Sequence, residues 1–224
     1  MQIIGSGSPP PVGFQQPKNL YRFGETALWS TQLLAANDVI ANGSYRLFTT
    51  PRGQNGQGFS ATPLTIAETS IKEGGRVPSG AAYDVYGIAC QLGFADGNTE
   101  STFKFDQPVN TDAEIAQLLN LHNNGTLAWD FLQTIVDIAP ISVIGGGGGL
   151  YGSVATGNAV DSGHMNHGAG SIWLYRKHPV SLPGGSQFSV LLRFGSKAAN
   201  IAAGNAAFVK VILYGFYKNV VEIG

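Results

Sequence analysis

The sequence is poor in charge, in cysteine and in long apolar runs. Only 12% of its 224 residues are charged, and the formal net charge is -1, which gives no strong field for nucleic acid or an acidic membrane surface. The single cysteine, Cys90, cannot form an internal disulfide, and its apolar surroundings favour a buried, unreactive thiol. Because there is neither a run of about eighteen apolar residues nor a basic start followed by an apolar stretch, we expect no membrane-spanning helix and no secretory signal.

The sequence also contains little that indicates catalysis. No Gly-x-Ser-x-Gly elbow is present, and the Gly-rich stretch 51–58 lacks the Lys-Ser/Thr ending of a phosphate-binding loop. His164 and His167 are spaced to share a metal ion, but the only further candidate ligands nearby are Asp161 and the more distant His178. A zinc site needs three or four protein ligands. We therefore predict no enzyme, no catalytic residue, no cofactor and no metal site, with His164 and His167 as the weak metal candidates.

The N-terminus predicts an extended arm. It contains three consecutive prolines among Gly and Ser, which do not support regular hydrogen bonding. Such an arm is either a disordered tail or a segment ordered against a neighbouring molecule, and the apolar Ile3, Ile4 and Phe14 point towards the second. We set the arm at residues 1–20 and one domain at residues 21–224, because a chain of this length can bury about 70% of its unfolded surface without disulfides or metal.

Three C-terminal runs predict strands: Ser171–Tyr175, Gln187–Phe194 and Phe208–Tyr217. In the second run Phe188, Val190, Leu192 and Phe194 fall on one face, as in a half-buried strand, and Leu191 is the one break in the pattern. The third run is apolar on both faces. That pattern is typical of a strand inside a sandwich or against a neighbouring subunit.

Earlier parts of the chain also have strand character: Ala27–Leu34, Ser44–Thr50, Thr62–Lys72, Tyr83–Phe94 and Thr126–Ile144. Asn42-Gly43 between the first two is a tight-turn signal. Gly87 and Gly93 predict a bulge or a close backbone neighbour within their strand. Pro140 indicates a bend or an edge position.

One helix is predicted between residues 111 and 124. Thr111-Asp-Ala-Glu114 has the form of a capping box, and apolar residues then recur at helical spacing as far as Asn123-Asn-Gly125, which ends the helix. The helix is short and amphipathic, so it should lie across one edge of a sheet. His122 is expected to be a partly exposed residue of the last turn and not a ligand.

The densest cluster of charged residues consists of Glu68, Lys72, Glu73 and Arg76. It is either a solvated rim or a set of ion pairs between subunits. Such pairs would fix the relative position of the subunits more than the strength of their contact. The low overall charge favours a protein whose surface is buried by partners, since a lone monomer usually carries more charge to stay soluble. We therefore predict a set of subunit contacts from this cluster and the arm: Ile3, Ile4, Phe14, Glu68, Lys72, Glu73 and Arg76.

The sum of these elements predicts an all-β protein. About nine to eleven strand-like runs, one short helix and no alternation of strands with helices favour a β-sandwich. A jelly roll has eight strands in two sheets and leaves room for extra edge strands, an arm and an inserted helix. Because there are fewer than sixteen strand-like runs, a single jelly roll is preferred over a double one.

The C-terminal part of the sequence supports the prediction of a jelly roll. The segments Ser171-Ile-Trp-Leu-Tyr175, His178–Phe194 and Val209–Lys218 resemble the ends of jelly-roll capsid proteins of tailless icosahedral viruses, including membrane-containing phages. In that family a strand after a Pro/Gly turn is followed by a variable loop and a final apolar strand that carries Gly. The resemblance implies a capsid subunit of the virion, assembled in the host cytoplasm, that forms an icosahedral shell through symmetric contacts.

The expected partners are copies of the chain and other virion proteins, with an internal membrane as a further candidate. Strong direct binding to nucleic acid is not expected, because Lys18 is the only basic residue of the first twenty. The alternative is a receptor- or carbohydrate-binding spike module on a similar sandwich, using Trp129, Trp173 or Tyr151. A cupin-like enzyme built on His164 and His167 is the third hypothesis.

Overall fold

The computed structural model describes residues 19–58, 62–94, 112–131, 134–144, 172–175, 178–202 and 206–222. Its strands are β1 (Asn19–Leu34), β2 (Ser44–Leu47), β3 (Ala81–Phe94), β4 (Gly125–Phe131), β5 (Thr134–Pro140), β6 (Trp173–Leu174), β7 (Val180–Leu182), β8 (Phe188–Phe194) and β9 (Ala207–Glu222). Helix α1 (Asp112–Asn124) precedes β4, and a 3-10 helix (Ile141–Val143) follows β5. The predicted all-β class with one helix is confirmed for these residues.

The strands form two antiparallel sheets. The larger sheet has the order β1-β9-β3, with β6 and β7 both pairing with β3, and the smaller sheet has the order β2-β8-β4-β5. Consecutive strands at the start of the chain therefore alternate between the sheets: β1 and β3 belong to the larger one, and β2 and β4 to the smaller one.

The pairings are nested along the chain. The first strand pairs with the last, β1 with β9, and the next pair inwards is β2 with β8. The third is β3 with β6 and β7, and the innermost is the β4–β5 hairpin. Two further ladders, β9 with β3 and β8 with β4, join these nested pairs side by side. Every ladder except the hairpin thus connects residues far apart in the sequence.

The core lies between the two sheets. Phe188, Val190, Leu192 and Phe194 all belong to it, so the predicted alternation of β8 is confirmed. Leu191, the break in that pattern, is also buried, with 4% of its surface exposed, but it points away from the core cluster. From the larger sheet the core receives the inward residues of β3 and β9: Tyr83, Val85, Ile88, Cys90, Leu92, Val209, Val211 and Leu213. No disulfide is needed for this packing.

Helix α1 begins at Asp112, the second residue of the predicted capping box, and ends at Asn124, directly before Gly125. Leu118 and Leu121 are fully buried, whereas Leu119 is 41% exposed. The side chain of Asn120 binds the loop between β8 and β9: its Oδ1 accepts a hydrogen bond from the backbone N–H of Ala199 at 3.1 Å, and its Nδ2 donates to the carbonyl of Ala199 at 3.2 Å. His122 is partly exposed in the last turn, as expected.

Three local expectations differ from the structure. The predicted strand Ser171–Tyr175 is reduced to the two residues of β6, and β7 lies in a stretch that the sequence pattern indicates as a connection. The Asn42-Gly43 turn is present, with Gly43 N–H donating to the carbonyl of Ile40 at 2.8 Å, but the strands on either side of it lie in different sheets. Residues 62–72 form turns and one isolated bridge, Ser30 with Thr69, in place of a strand.

Glycines within the larger sheet mark close approaches. The register of β3 shifts between Val85 and Gly87, which confirms a bulge there, and a Cβ on Gly93 would lie 2.5 Å from the ring of Phe208. On the central strand β9, a Cβ on Gly215 would lie 2.5 Å from the backbone oxygen of Asp84 and 2.7 Å from the ring of Tyr83. Strand β3 can pack this closely on β9 only because Gly215 has no side chain.

We predict that Gly215→Ala lowers the free energy of unfolding by about 1–3 kcal/mol, because a backbone oxygen cannot swing away from the new methyl group. Gly24→Ala is the matched control on the neighbouring strand, since nothing lies within 4 Å of a Cβ at that position. Urea unfolding of both variants measures the difference. Equal losses in the two variants would show that Gly215 is not a contact point between β9 and β3.

Candidate assembly sites

The predicted charge cluster is divided in the structure. Lys72, Glu73 and Arg76 are exposed and line a cleft of about 410 Å³ beside β1. Glu68 is used within its own turn, where its carboxylate accepts hydrogen bonds from the backbone N–H of Thr65 at 2.6 Å and from the Thr65 hydroxyl. Three of the four residues are therefore available at one surface, and Glu68 has a local structural contact instead.

The cleft opens where a loop leaves the edge of β1. Ser70 N–H donates to the carbonyl of Trp29 at 3.0 Å, and Leu33 N–H donates to the carbonyl of Gln57 at 2.9 Å, so this half of the edge is covered by the chain's own loops. After Ser70, no backbone group of residues 71–78 is hydrogen-bonded to a described residue of β1. The space that results lies between Gly24–Leu28 on one side and residues 70–78 on the other.

The floor of this cleft is largely apolar and belongs to the core. Leu28 and Tyr217 pack partly buried against the core, and Val77 is 3% exposed. Tyr83 is fully buried, and its hydroxyl shares its one proton between the carbonyls of Thr26 at 2.8 Å and Leu213 at 2.9 Å. Burial raises the pKa of Tyr83, so its phenol remains a neutral donor that ties β3 to β1 and β9. The cleft therefore has a rigid floor and a charged rim.

The outer face of the larger sheet carries aromatic and aliphatic side chains. Phe216 is 47% exposed, and its ring lies 5.2 Å from that of Tyr86. The Tyr86 hydroxyl donates a hydrogen bond to the carboxylate of Glu25, which together with partial burial raises the pKa of Tyr86 to about 12. Further along the sheet, the Lys210 ammonium lies 5.8 Å from the centre of the Trp29 ring, and burial lowers its pKa while Glu68 opposes that change.

A second cleft, of about 920 Å³, lies on the outer face of the smaller sheet. Asp130 is its charged centre: its carboxylate pairs with the Arg46 guanidinium at 3.2 Å and accepts a hydrogen bond from the Ser189 hydroxyl at 3.1 Å. At the side of this cleft is β5, which is an edge strand, as Pro140 predicted, and has Ile135 50% exposed. The Asp130 carboxylate is thus paired with Arg46 and bonded to Ser189 at the same time.

Two of the three aromatic residues proposed for a spike module pack against the interior. Trp129 is only 6% exposed and belongs to the core, and its Nε1 donates to the Tyr175 hydroxyl at 2.9 Å. Trp173 packs partly buried against the same core. Trp129 therefore offers no open aromatic face for a sugar ring. Tyr151, the third candidate, lies outside the described residues.

Other predicted residues also lie outside the described ranges. These are Ile3, Ile4, Phe14, His164 and His167, together with residues 1–18 of the arm; Asn19 and Leu20 are the first residues of β1. Within the described part of the chain, no three His, Cys, Asp or Glu side chains are grouped so that they could hold a metal ion. No α-helix in that part has the length and apolar character to cross a membrane.

No family model matches this chain, and no curated protein or solved structure matches it. The two clefts could not be found from the sequence by motif. The first is built from four separate stretches, at residues 24–28, 70–78, 83 and 217, which only the sheet pairing brings together. The one local signal in the sequence for the first cleft was the cluster of charged residues, which includes Lys72, Glu73 and Arg76 of its rim.

We predict that Cys90 is inert in the folded protein, because it is fully buried and burial raises its pKa to about 12. A thiol reagent added at neutral pH should label the chain only in denaturant. Labelling that keeps pace with a small-molecule thiol under native conditions would contradict the burial of this residue.

We predict that Tyr83→Phe flattens the alkaline part of the stability curve. The folded state holds the phenol proton more tightly than the unfolded chain, where the pKa of this tyrosine has its ordinary value of 10.0, so the stabilisation is complete below that pH and is lost as the pH rises above it. The variant should lose about 1 kcal/mol at neutral pH for the missing hydrogen bond, yet its unfolding free energy should fall less steeply above pH 10. Parallel curves for the two proteins would contradict this role.

Proposed function

We propose that this chain is a single jelly roll that serves as a structural virion protein, a capsid subunit that assembles with copies of itself into an icosahedral shell. The observation that carries the proposal is the nested pairing of first strand with last, second with second-last, and so on inwards. A long antiparallel hairpin that is rolled up on itself produces this order. It gives two four-stranded sheets when β6 and β7 are counted as one interrupted strand, as an eight-stranded jelly roll requires.

Jelly rolls also occur in lectins and cupins, so the fold alone does not distinguish a capsid subunit from these two classes. The distinction has to come from the interior and the surface side chains. A cupin-like enzyme needs an open interior with metal ligands, whereas here the space between the sheets is filled by apolar side chains such as Val190, Leu192 and Leu213. Of the tryptophans suggested for a lectin-like module, Trp129 is in the core and Trp173 packs partly buried against it. These contacts favour a packed building block over either ligand-binding class.

The composition of the surface supports assembly. Large apolar side chains are exposed at both sheets, with Ile135 and Val136 on the edge strand β5 at 50% and 55%, and Leu174 and Phe216 at the larger sheet at 46% and 47%. Only 12% of the chain is charged. Contacts between identical copies would bury such a surface and obey closed symmetry. The partners are thus copies of the chain and other virion proteins, and the localisation that follows is the virion.

We predict that the purified full chain sediments as closed particles or multi-subunit capsomers, and that negative-stain microscopy shows them. Their formation should depend weakly on salt, because the contacts are mainly apolar and surface charge is sparse. A chain that stays monomeric at every accessible concentration and binds a glycan would overturn the proposal in favour of the spike module.

A further inference from the structure

The described residues cover the edge of β1 along only part of its length. Trp29 and Leu33 direct backbone groups away from β9 and bond to Ser70 and Gln57. Since backbone groups alternate along an antiparallel strand, Glu25 and Ala27 direct their N–H and C=O the same way. No described residue hydrogen-bonds to these groups of Glu25 or Ala27 on that side. The open stretch therefore has the hydrogen-bonding pattern that accepts an added strand.

The cleft next to this edge defines what the added strand must carry. Its floor is formed by Leu28, Val77, Tyr83 and Tyr217, so it suits an apolar side chain. Its rim is electrically balanced, because two acidic residues face two basic ones: Glu25, Glu73, Lys72 and Arg76. An uncharged, extended segment with one or two large aliphatic residues fits this combination. A strongly charged peptide of either sign would gain nothing from the rim.

The chain itself contains such a segment. Residues 1–17 carry no Asp, Glu, Lys or Arg, and residues 1–8 are also free of proline, so each of their backbone N–H groups can enter a ladder. Ile3 and Ile4 are neighbours in this stretch. Because side chains alternate along a strand, one of the two would point towards the cleft in either register.

A tight reversal of the arm of the same molecule would not fill the cleft. A tight reversal at Pro17-Lys18 would place residues 7–11 opposite Gly24–Leu28. Those residues are Gly-Ser-Pro-Pro-Pro, which have no large side chain for the cleft, and the prolines have no N–H for the edge. From a second molecule the register is free, and residues 9–18 can span up to about 33–36 Å between the docked segment and the start of its own β1.

We infer that residues 1–8 of a second copy add as a strand to the open edge of β1, with Ile3 or Ile4 in the cleft rimmed by Lys72, Glu73 and Arg76. This inference rests on the proposed self-assembly, for which it names one contact between copies. It also joins the two groups of residues that the sequence marked as subunit contacts, the apolar arm and the charge cluster.

Cysteine cross-linking in the full chain tests the inference, since the native Cys90 is buried and does not compete. Chains with Ile3→Cys or Ile4→Cys are mixed with a longer-tagged chain that carries Lys72→Cys, an exposed position at the rim. In the matched control, the longer-tagged chain carries Val39→Cys in place of Lys72→Cys; Val39 is 70% exposed and does not line the cleft. Docking raises the local concentration of the two thiols, so we expect at least about tenfold more disulfide-linked heterodimer with Lys72→Cys than with Val39→Cys.

Each outcome decides something. Equal yields at the two positions refute the inference, and so does a link that forms only within one chain of an Ile4→Cys/Lys72→Cys double variant. Assemblies of the wild-type chain without preferential cross-linking refute the docking and leave the shell standing. Preferential heterodimers from a chain that never forms larger assemblies support the docking and refute the shell.

Discussion

The structure depends on the ladder between the first and last strands. Strand β9 pairs along its whole length with β1 and along most of it with β3, so the larger sheet has no centre until the C-terminal strand is in place. The smaller sheet repeats the arrangement with β8 between β2 and β4. Local contacts contribute little to such a fold, and the closure of long loops must be offset by burial between the sheets.

This dependence explains why glycine and tyrosine matter at the centre of the larger sheet. Gly215 lets β3 and its Tyr83 ring approach β9, and the Tyr83 hydroxyl then reaches carbonyls of both β1 and β9. One side chain thus crosslinks three strands by hydrogen bonds. The Tyr83 ring also forms part of the floor of the cleft beside β1, so the cleft is built on a side chain that is fixed by hydrogen bonds within the core.

The sequence predicted those features whose signal is local. The two-residue period of β8 identified the four residues that face the core, and the capping box placed the helix to within a residue of its start. The bulge near Gly87 was likewise visible as a glycine within a strand. In β8 the residues that carry the signal are also the residues that pack in the core.

Pairing partners were not predictable in this way. Asn42-Gly43 forms its turn, yet β1 and β2 pair with β9 and β8 and not with each other. The alternation of residues 62–72 comes from a loop that follows the edge of β1, with Thr69 bridged to Ser30, and is not a strand period. Glu68 is a different case, because a local signal was present and was missed: Thr65 stands three residues before it, at the spacing of a capping box, and the Glu68 carboxylate accepts a hydrogen bond from the Thr65 backbone N–H. A period of two records which side of a segment is apolar and leaves the neighbour unspecified.

The edge strands show how folding and assembly can be connected in one surface. Charged side chains on a sheet edge normally prevent pairing with another molecule, because a strand that docks would have to desolvate them. Among the side chains that the structure describes, the charge on β1 is Glu25, which is bonded to Tyr86, and the charge on β5 is Asp137, which pairs with Arg193 at 3.2 Å. Both carboxylates are therefore engaged by their own sheet. A carboxylate that is paired within its own sheet opposes an incoming strand less than a free one, and the described parts of β1 and β5 have that arrangement.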